Sequence, residues 1–227
     1  MTKSEIRSFV KGLVRGVSVE ERTRFSEALK EEVVGLECWR SAKEVMLFFS
    51  LPDEVDMLPL IRAALAEQKR IYLPRVIATQ VSRGVDVCEV AEGNTLPKKS
   101  TLAMGSTLPM ESTLPAGNTV SGEEMILEVR ELAPEQLAPG RWGIWEPTDE
   151  APLLSDYSRL DLVVVPGVAF SSDGKRLGRG KSFYDRFLPL VPRAAFVGVC
   201  YPCQVVEQIP ADPWDIGMDI VCCGKKR

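Results

Sequence analysis

The sequence predicts an α/β fold: an open, mostly parallel sheet with helices on both faces, three layers in all, carrying antiparallel hairpin additions. Three observations predict it. Val45-Met-Leu-Phe-Phe49, the helical stretch Met57–Glu67 and Arg70-Ile-Tyr-Leu-Pro74 follow one another as strand, helix, strand, the order of a βαβ unit. Asp161-Leu-Val-Val-Val-Pro166 is the clearest buried strand in the chain. Two amphipathic helical patterns precede them all.

The first pattern covers residues 4–17, where Ile6, Phe9, Val10, Leu13, Val14 and Val17 are apolar. Lys3, Arg7, Lys11 and Arg15 recur every fourth residue and form a basic stripe beside that face. Such a stripe is either a solvated surface or a cationic edge for an anion. Ser18-Val-Glu-Glu21 is a capping box opening a second helix to about Leu36, with Phe25, Leu29 and Val33 inward. Further strands are expected at Val85–Val90, Met125–Val129, Ala195–Val199 and Asp219–Cys223. Pro134–Pro152, with Trp142 and Trp145, reads as an ordered loop.

Residues 94–123 read as five hexads, NTLPKK, STLAMG, STLPME, STLPAG and NTVSGE. The stretch is too short and too proline-rich for a hexapeptide β-helix. It is expected to be a repeat-expanded surface loop at a hairpin tip, tolerant of length, within a single domain spanning 1–227.

Composition narrows the chemistry. The net charge of −4 disfavours a nucleic-acid binder. No apolar run approaches a membrane span and no signal-like segment follows Met1, so the expected location is cytoplasmic. The chain has no histidine, which removes Ser-His-Asp and Cys-His catalysis and every histidine metal site. Cys200-Tyr-Pro-Cys203 ends an apolar run, where small strand-end hydrophobes are the expected reading rather than a redox pair. Adjacent Cys222-Cys223 is a poor second pair for zinc.

The informative segment runs from the buried strand through Pro166-Gly-Val-Ala-Phe170 to Arg176-Leu-Gly-Arg-Gly-Lys-Ser-Phe-Tyr-Asp185. It reads as strand, turn, basic glycine-rich loop, and a helix from about Lys181 to Leu190. Gly178 and Gly180 let the backbone come close to an anion. The helix offers it a positive end, and Arg176, Arg179 and Lys181 add charged donors. Lys181 and Asp185 are four apart, so they either pair with each other or divide between phosphate and magnesium. The loop matches neither a Walker motif nor a dinucleotide fingerprint. From the residues alone the chain is a phosphate-binding α/β protein.

The same run, from Asp161 to Phe170 and from Arg176 to Asp185, resembles the signature of the 5-formyltetrahydrofolate cyclo-ligase family. Lys3-Ser-Glu-Ile-Arg7, Phe49-Ser-Leu-Pro-Asp-Glu-Val-Asp56, Tyr72-Leu-Pro-Arg75 and Gly143-Ile-Trp-Glu-Pro147 are similar to its other motifs in order, so only the hexads fall outside the resemblance. It implies a Rossmann-like sheet and ATP-dependent closure of 5-formyltetrahydrofolate to 5,10-methenyltetrahydrofolate. The formyl oxygen attacks the γ-phosphate, N10 then attacks the phosphorylated formyl carbon, and ADP and phosphate are released. By this resemblance, Lys3, Arg7 and the run Arg176, Leu177, Gly178, Arg179, Gly180, Lys181, Ser182, Phe183 and Tyr184 bind ATP. Arg179, Lys181 and Tyr184 act in catalysis. Phe49, Glu54, Trp142, Phe170 and Tyr201 contact the folate, and Asp185 and Asp219 hold Mg2+. It also implies ATP and folate as partners, no nucleic acid or membrane, and a monomer.

The chain departs from the family's Gly-Tyr-Tyr-Asp, having Ser182-Phe-Tyr-Asp185. A Cβ at Ser182 strains a left-handed backbone and is harmless in a helix, and Phe183 brings no hydroxyl. Two other readings stand beside this one: a sugar-phosphate isomerase-like enzyme on a similar scaffold, and a non-catalytic nucleotide- or folate-binding relative.

Overall fold

Two helices form at the N-terminus because each has both an apolar stripe and a cap. In the computed structural model, α1 (Lys3–Arg15) is capped by Thr2, whose side chain accepts from Glu5 N–H while Glu5 reaches back to Thr2 N–H. The helix α2 (Val19–Val34) is closed the same way by Ser18 and Glu21. Ile6, Val10 and Val14 of α1 and Leu29 and Val33 of α2 are buried. Phe9 and Leu13, expected on the inner face of α1, are 53% and 41% exposed. Positions 6, 10 and 14 recur at the four-residue spacing of one narrow stripe, and 9 and 13 lie beside it.

The structure describes residues 1–80, 123–140 and 143–225. The chain divides into two units, Met1–Ile77 with Ile126–Arg227, and Ala78–Met125. The hexads, the strand expected at 85–90 and Trp142 lie outside the described residues. The cores, clefts and candidate site described below lie in the first unit.

After a short helix α3 (Glu37–Ser41) come β1 (Glu44–Met46), α4 (Leu58–Ala66), β2 (Arg70–Gln80) and β3 (Glu123–Glu131). A small hairpin follows, β4 (Leu137–Pro139) with β5 (Trp145–Pro147), then the buried strand β6 (Leu162–Pro166). Beyond it lie β7 (Ala169–Ser171), β8 (Arg176–Leu177), α5 (Phe183–Phe187), β9 (Ala195–Val199), β10 (Val205–Val206) and β11 (Ile220–Cys222). The main sheet has the order β11-β9-β6-β1-β2-β3. The pairs β11–β9, β9–β6, β6–β1 and β1–β2 are parallel, and β1–α4–β2 is the expected βαβ unit. A second sheet of β10, β7 and β8 contains the antiparallel pair β7–β8.

Alternation along β6 shows why the fold has three layers. Leu162 and Val164 enter a core shared with α1, α2 and α4, whereas Val163 and Val165 enter a second core with Phe187 and Leu188 at the end of α5. Successive strand side chains point to opposite faces, so an unbroken apolar strand requires cover on both. No helix among the described residues is long and apolar enough to cross a membrane.

Candidate active site

The glycine-rich segment leaves β8 at the C-terminal end of β6, the end where open α/β sheets bind ligands. Its helix begins later than the sequence predicts. Ser182 is the N-cap of α5, with φ 53° and ψ 23°, and Gly180 has φ +90°. Two left-handed residues two apart keep the chain out of helix until Phe183. Lys181 therefore sits in the loop, off the helix face that carries Asp185. It is exposed and has no hydrogen-bond or ion-pair partner among the described residues. The α5 helix is five residues long, so it offers less dipole than the expected ten-residue helix.

Asp185 has a different partner, Arg176. The Arg176 Nη2–Asp185 Oδ1 distance is 2.7 Å, with side chains 4% and 15% exposed. Arg176 also donates from Nη1 to Pro166 O at 3.3 Å and lies 5.6 Å from the centre of the Tyr184 ring. Its Nε is buried without a partner. A Cβ at Gly178 would lie 2.9 Å from Arg176 Nη1, so glycine is what lets the loop pass over this guanidinium. Burial pushes the Tyr184 hydroxyl up, with the Glu54 charge adding to the effect and Arg176 opposing it. Tyr184 is thus a protonated donor at neutral pH rather than a base.

Cations from distant parts of the chain converge on the loop. Arg7 on α1 donates from Nε to Gly178 O at 2.8 Å. Arg179 reaches the turn after β1, with Nη2 2.6 Å from Asp53 Oδ1 and 3.0 Å from Glu54 Oε1. Glu54 is itself fixed: its Oε2 accepts Leu51 N–H at 3.0 Å and its carbonyl accepts the Tyr201 hydroxyl at 2.9 Å. Tyr201 is buried, with Arg22 stacked 5.4 Å from its ring centre.

Two clefts flank the turn 49–56. The first, about 180 Å³, is lined by Arg7, Lys11, Asp53, Gly167, Arg179 and Gln204 among others. The second, about 470 Å³, is lined by Phe49, Ser50, Asp56, Leu58, Ile144 and Trp145 among others. Phe49 thus faces the larger cleft, while Arg7 and Arg179 face the smaller.

Other expected site residues lie elsewhere. Phe170 is fully buried, and its ring lies where a Cβ on Gly167 or Gly198 would fall, at 2.6 and 2.4 Å. It forms the floor beneath the loop and lines neither cleft. Asp219 accepts Phe196 N–H at 2.7 Å, at the N-terminal end of β9. Pro166, beside Arg176, is level with Val199 in the register, and Phe196 is three positions back, or about 10 Å along the strand. The structure does not bring Asp219 to Asp185. Lys3 pairs with Asp215 at 2.5 Å and Asp212 at 2.6 Å. Burial pulls the Lys3 ammonium down, but hydrogen bonds to Asp212 and Asp215 outweigh it and raise its pKa. Lys11, weighed in the sequence only as part of the basic stripe, lines the smaller cleft with Asp53 and Gln204, which carried no assigned role; nor did Asp212 and Asp215, the partners of Lys3. The only sequence signal for the last two is the acidic Asp212-Pro-Trp-Asp215 near the C-terminus.

The cysteines agree with the sequence reading. Cys200 ends β9 and is buried, and Cys203 sits on the next turn. Burial pushes both thiols up, the opposite of what an activated redox thiol needs.

Comparison with known proteins accords with this geometry. The model of the 5-formyltetrahydrofolate cyclo-ligase family matches residues 1–224. A 5-formyltetrahydrofolate cyclo-ligase of Haemophilus influenzae is 24% identical over 224 residues, covering 98% of this chain and 97% of the relative. That of Mus musculus is 26% identical over 226 residues, covering 96% and 92%. The NMR structure of Aquifex aeolicus 5,10-methenyltetrahydrofolate synthetase shares 30% identity with a TM-score of 0.69, covering 100% of this chain and 91% of that one. The 5,10-methenyltetrahydrofolate synthetase structure from Mycoplasma pneumoniae, at 18% identity and a TM-score of 0.64, shares the fold. The glycine-rich loop, the acidic turn facing it and a family match running from Met1 to Gly224 lead to one conclusion: the chain belongs to the 5-formyltetrahydrofolate cyclo-ligase family of enzymes.

Proposed function

We propose that the protein closes 5-formyltetrahydrofolate to 5,10-methenyltetrahydrofolate at the expense of ATP, releasing ADP and phosphate through a phosphorylated formyl intermediate. One observation carries this reading beyond family membership. The turn 49–56 walls a cationic cleft on one side and an apolar cleft on the other, and Arg179 is docked on that turn.

The smaller cleft, about 180 Å³, is below the size that engulfs a whole drug-sized ligand. It suits a phosphate chain. Arg7 and Arg179 line it, and the exposed Lys181 extends from the same loop as Arg179. These cations offset charge on a transferring phosphoryl group. The larger cleft offers Phe49, Leu58, Ile144 and Trp145 to a flat heterocycle. Tyr184, held protonated, serves as a hydrogen-bond donor. No strong protein base is required, because the substrate supplies both nucleophiles, the formyl oxygen and N10. The chain's task is to hold them in line and exclude water.

Magnesium fits the residues present. Asp185 gives one oxygen to Arg176 and keeps the other. Among the described residues no three acidic or cysteine side chains gather into a metal cage. That donor set suits an ion bound through one carboxylate, phosphate oxygens and water. Bound there, it would neutralise charge shared between the β- and γ-phosphates. Asp219 is too far along the strand to join Asp185 in this set.

The test follows two signals at once. Purified protein is mixed with 5-formyltetrahydrofolate, ATP and magnesium, and methenyl-folate absorbance and ADP are recorded together. Equal amounts of both, each dependent on the other substrate, are expected. ATP hydrolysis without methenyl-folate, or neither signal, would overturn the proposal.

A further inference from the structure

The interaction between the acidic turn and the basic loop involves one residue without an assigned part. Arg179 meets two carboxylates. Asp53 takes a forked pair, Nη2–Oδ1 at 2.6 Å and Nη1–Oδ2 at 3.2 Å. Glu54 Oε1 accepts from Nη2 at 3.0 Å and Nε at 3.3 Å. The two acids differ in how they are held. Glu54 is anchored through Leu51 N–H, and its carbonyl through the Tyr201 hydroxyl. Asp53 is 40% exposed and lines the cationic cleft together with Arg7, Lys11 and Arg179. Both bonds to Glu54 converge on one oxygen, a point about which the planar guanidinium could still pivot. The fork to Asp53 fixes its plane, because two parallel N–H···O bonds set direction as well as distance.

We infer that Asp53 is a positioning residue, whose forked contact fixes the plane of the Arg179 guanidinium over the cationic cleft. The inference rests on the proposed function for its kinetic consequence, since a wandering Arg179 matters only if that group meets a reacting phosphoryl. The charge environment agrees. Burial pulls the Asp53 carboxyl up, but the Arg179 guanidinium outweighs it and Lys11 adds to the effect, holding Asp53 below its ordinary range. Asp53 is therefore ionised at neutral pH. Asparagine at this position keeps the shape, loses the charge and can accept through one oxygen only.

The experiment has two arms. In the first, kcat and KM are measured for Asp53→Asn, Arg179→Lys and the double variant. Asp53→Asn is expected to lower kcat about tenfold, with less effect on either KM, as for a misplaced catalytic group. Asp53→Glu, which restores a carboxylate, should recover part of the loss. The double variant should be no slower than Arg179→Lys alone, because a residue acting only through Arg179 has nothing left to position. Additive losses would overturn the inference. The second arm needs no turnover: phenylglyoxal modification of Arg179 is followed by peptide mass spectrometry. Asp53→Asn should speed it severalfold while the buried Arg176 stays unreactive. Equal rates in wild type and variant would overturn the inference. Wild type lacking cyclo-ligase activity would sink the proposed function, while the labelling rates still decide whether the clamp exists.

Discussion

The Arg176 guanidinium and the Asp185 carboxylate meet at 2.7 Å with both side chains largely out of water. This pair ties β8 to α5 beneath the glycine loop, so a change at Asp185 has two effects that must be separated. Asp185→Ala leaves a buried guanidinium without its counter-charge, a class of change that costs about 3–5 kcal/mol. Urea denaturation of Asp185→Ala and Asp185→Asn should show a large drop for the first and a smaller one for the second. Magnesium dependence of any remaining activity is then read on the asparagine variant, which retains more of the fold.

Lys181→Ala should behave in the opposite way. Its ammonium is exposed and has no partner among the described residues, so its loss should change stability by no more than about 0.5 kcal/mol. Turnover is expected to fall about 100-fold or more, the scale seen when a group stabilising transition-state charge is removed. Steady-state kinetics beside a thermal melt checks both statements, and near-normal turnover would refute the role.

Ser182 holds a left-handed backbone, φ 53°, that glycine adopts freely. Ser182→Gly should relieve about 1–2 kcal/mol of steric cost, less the roughly 0.5–1 kcal/mol of extra chain entropy that glycine gives up. The expected net is a gain of up to about 1.5 kcal/mol, centred on about 0.75 kcal/mol, readable as a raised urea midpoint with an unchanged slope. An unstrained serine would give no gain or a loss.

Lys3 provides a pH test. Its folded-state pKa lies above the ordinary value of 10.5 because Asp212 and Asp215 hold the ammonium. A raised pKa in the folded state contributes stability that is fully present below 10.5 and is lost as pH climbs through the higher folded value. The melting-temperature difference between wild type and Lys3→Met should be constant around neutral pH and shrink in the alkaline range. A difference that grows with pH would contradict the pairing.

The sequence made the local structure legible and left the long-range pairing hidden. Both N-terminal helices follow from short-range rules, a cap and a stripe, and β1–α4–β2 and β6 follow from run length and apolar character. The start of α5 does not. Spacing alone puts Lys181 and Asp185 on one helix face, but two left-handed residues delay the helix and Arg176 claims Asp185 from nine residues back. The partners of Lys3 lie 209 and 212 residues away, beyond any periodicity. The clamp from Arg179 to Asp53 spans 126 residues. Phe170 and Asp219 entered as site residues through the family resemblance, yet one is core and the other accepts a backbone N–H at the start of β9. The loop's cationic character was readable. Which acid each cation faces was not, because that depends on tertiary contact.

The segment from Phe49 to Asp56 is a party wall. Asp53 faces one chamber while Phe49, Ser50 and Asp56 face the other, and Glu54 between them is fastened through its backbone to Tyr201 on a third element. Kinetic constants measured for one substrate will therefore shift when this wall is altered for the sake of the other. Substitutions within it have to be judged against both.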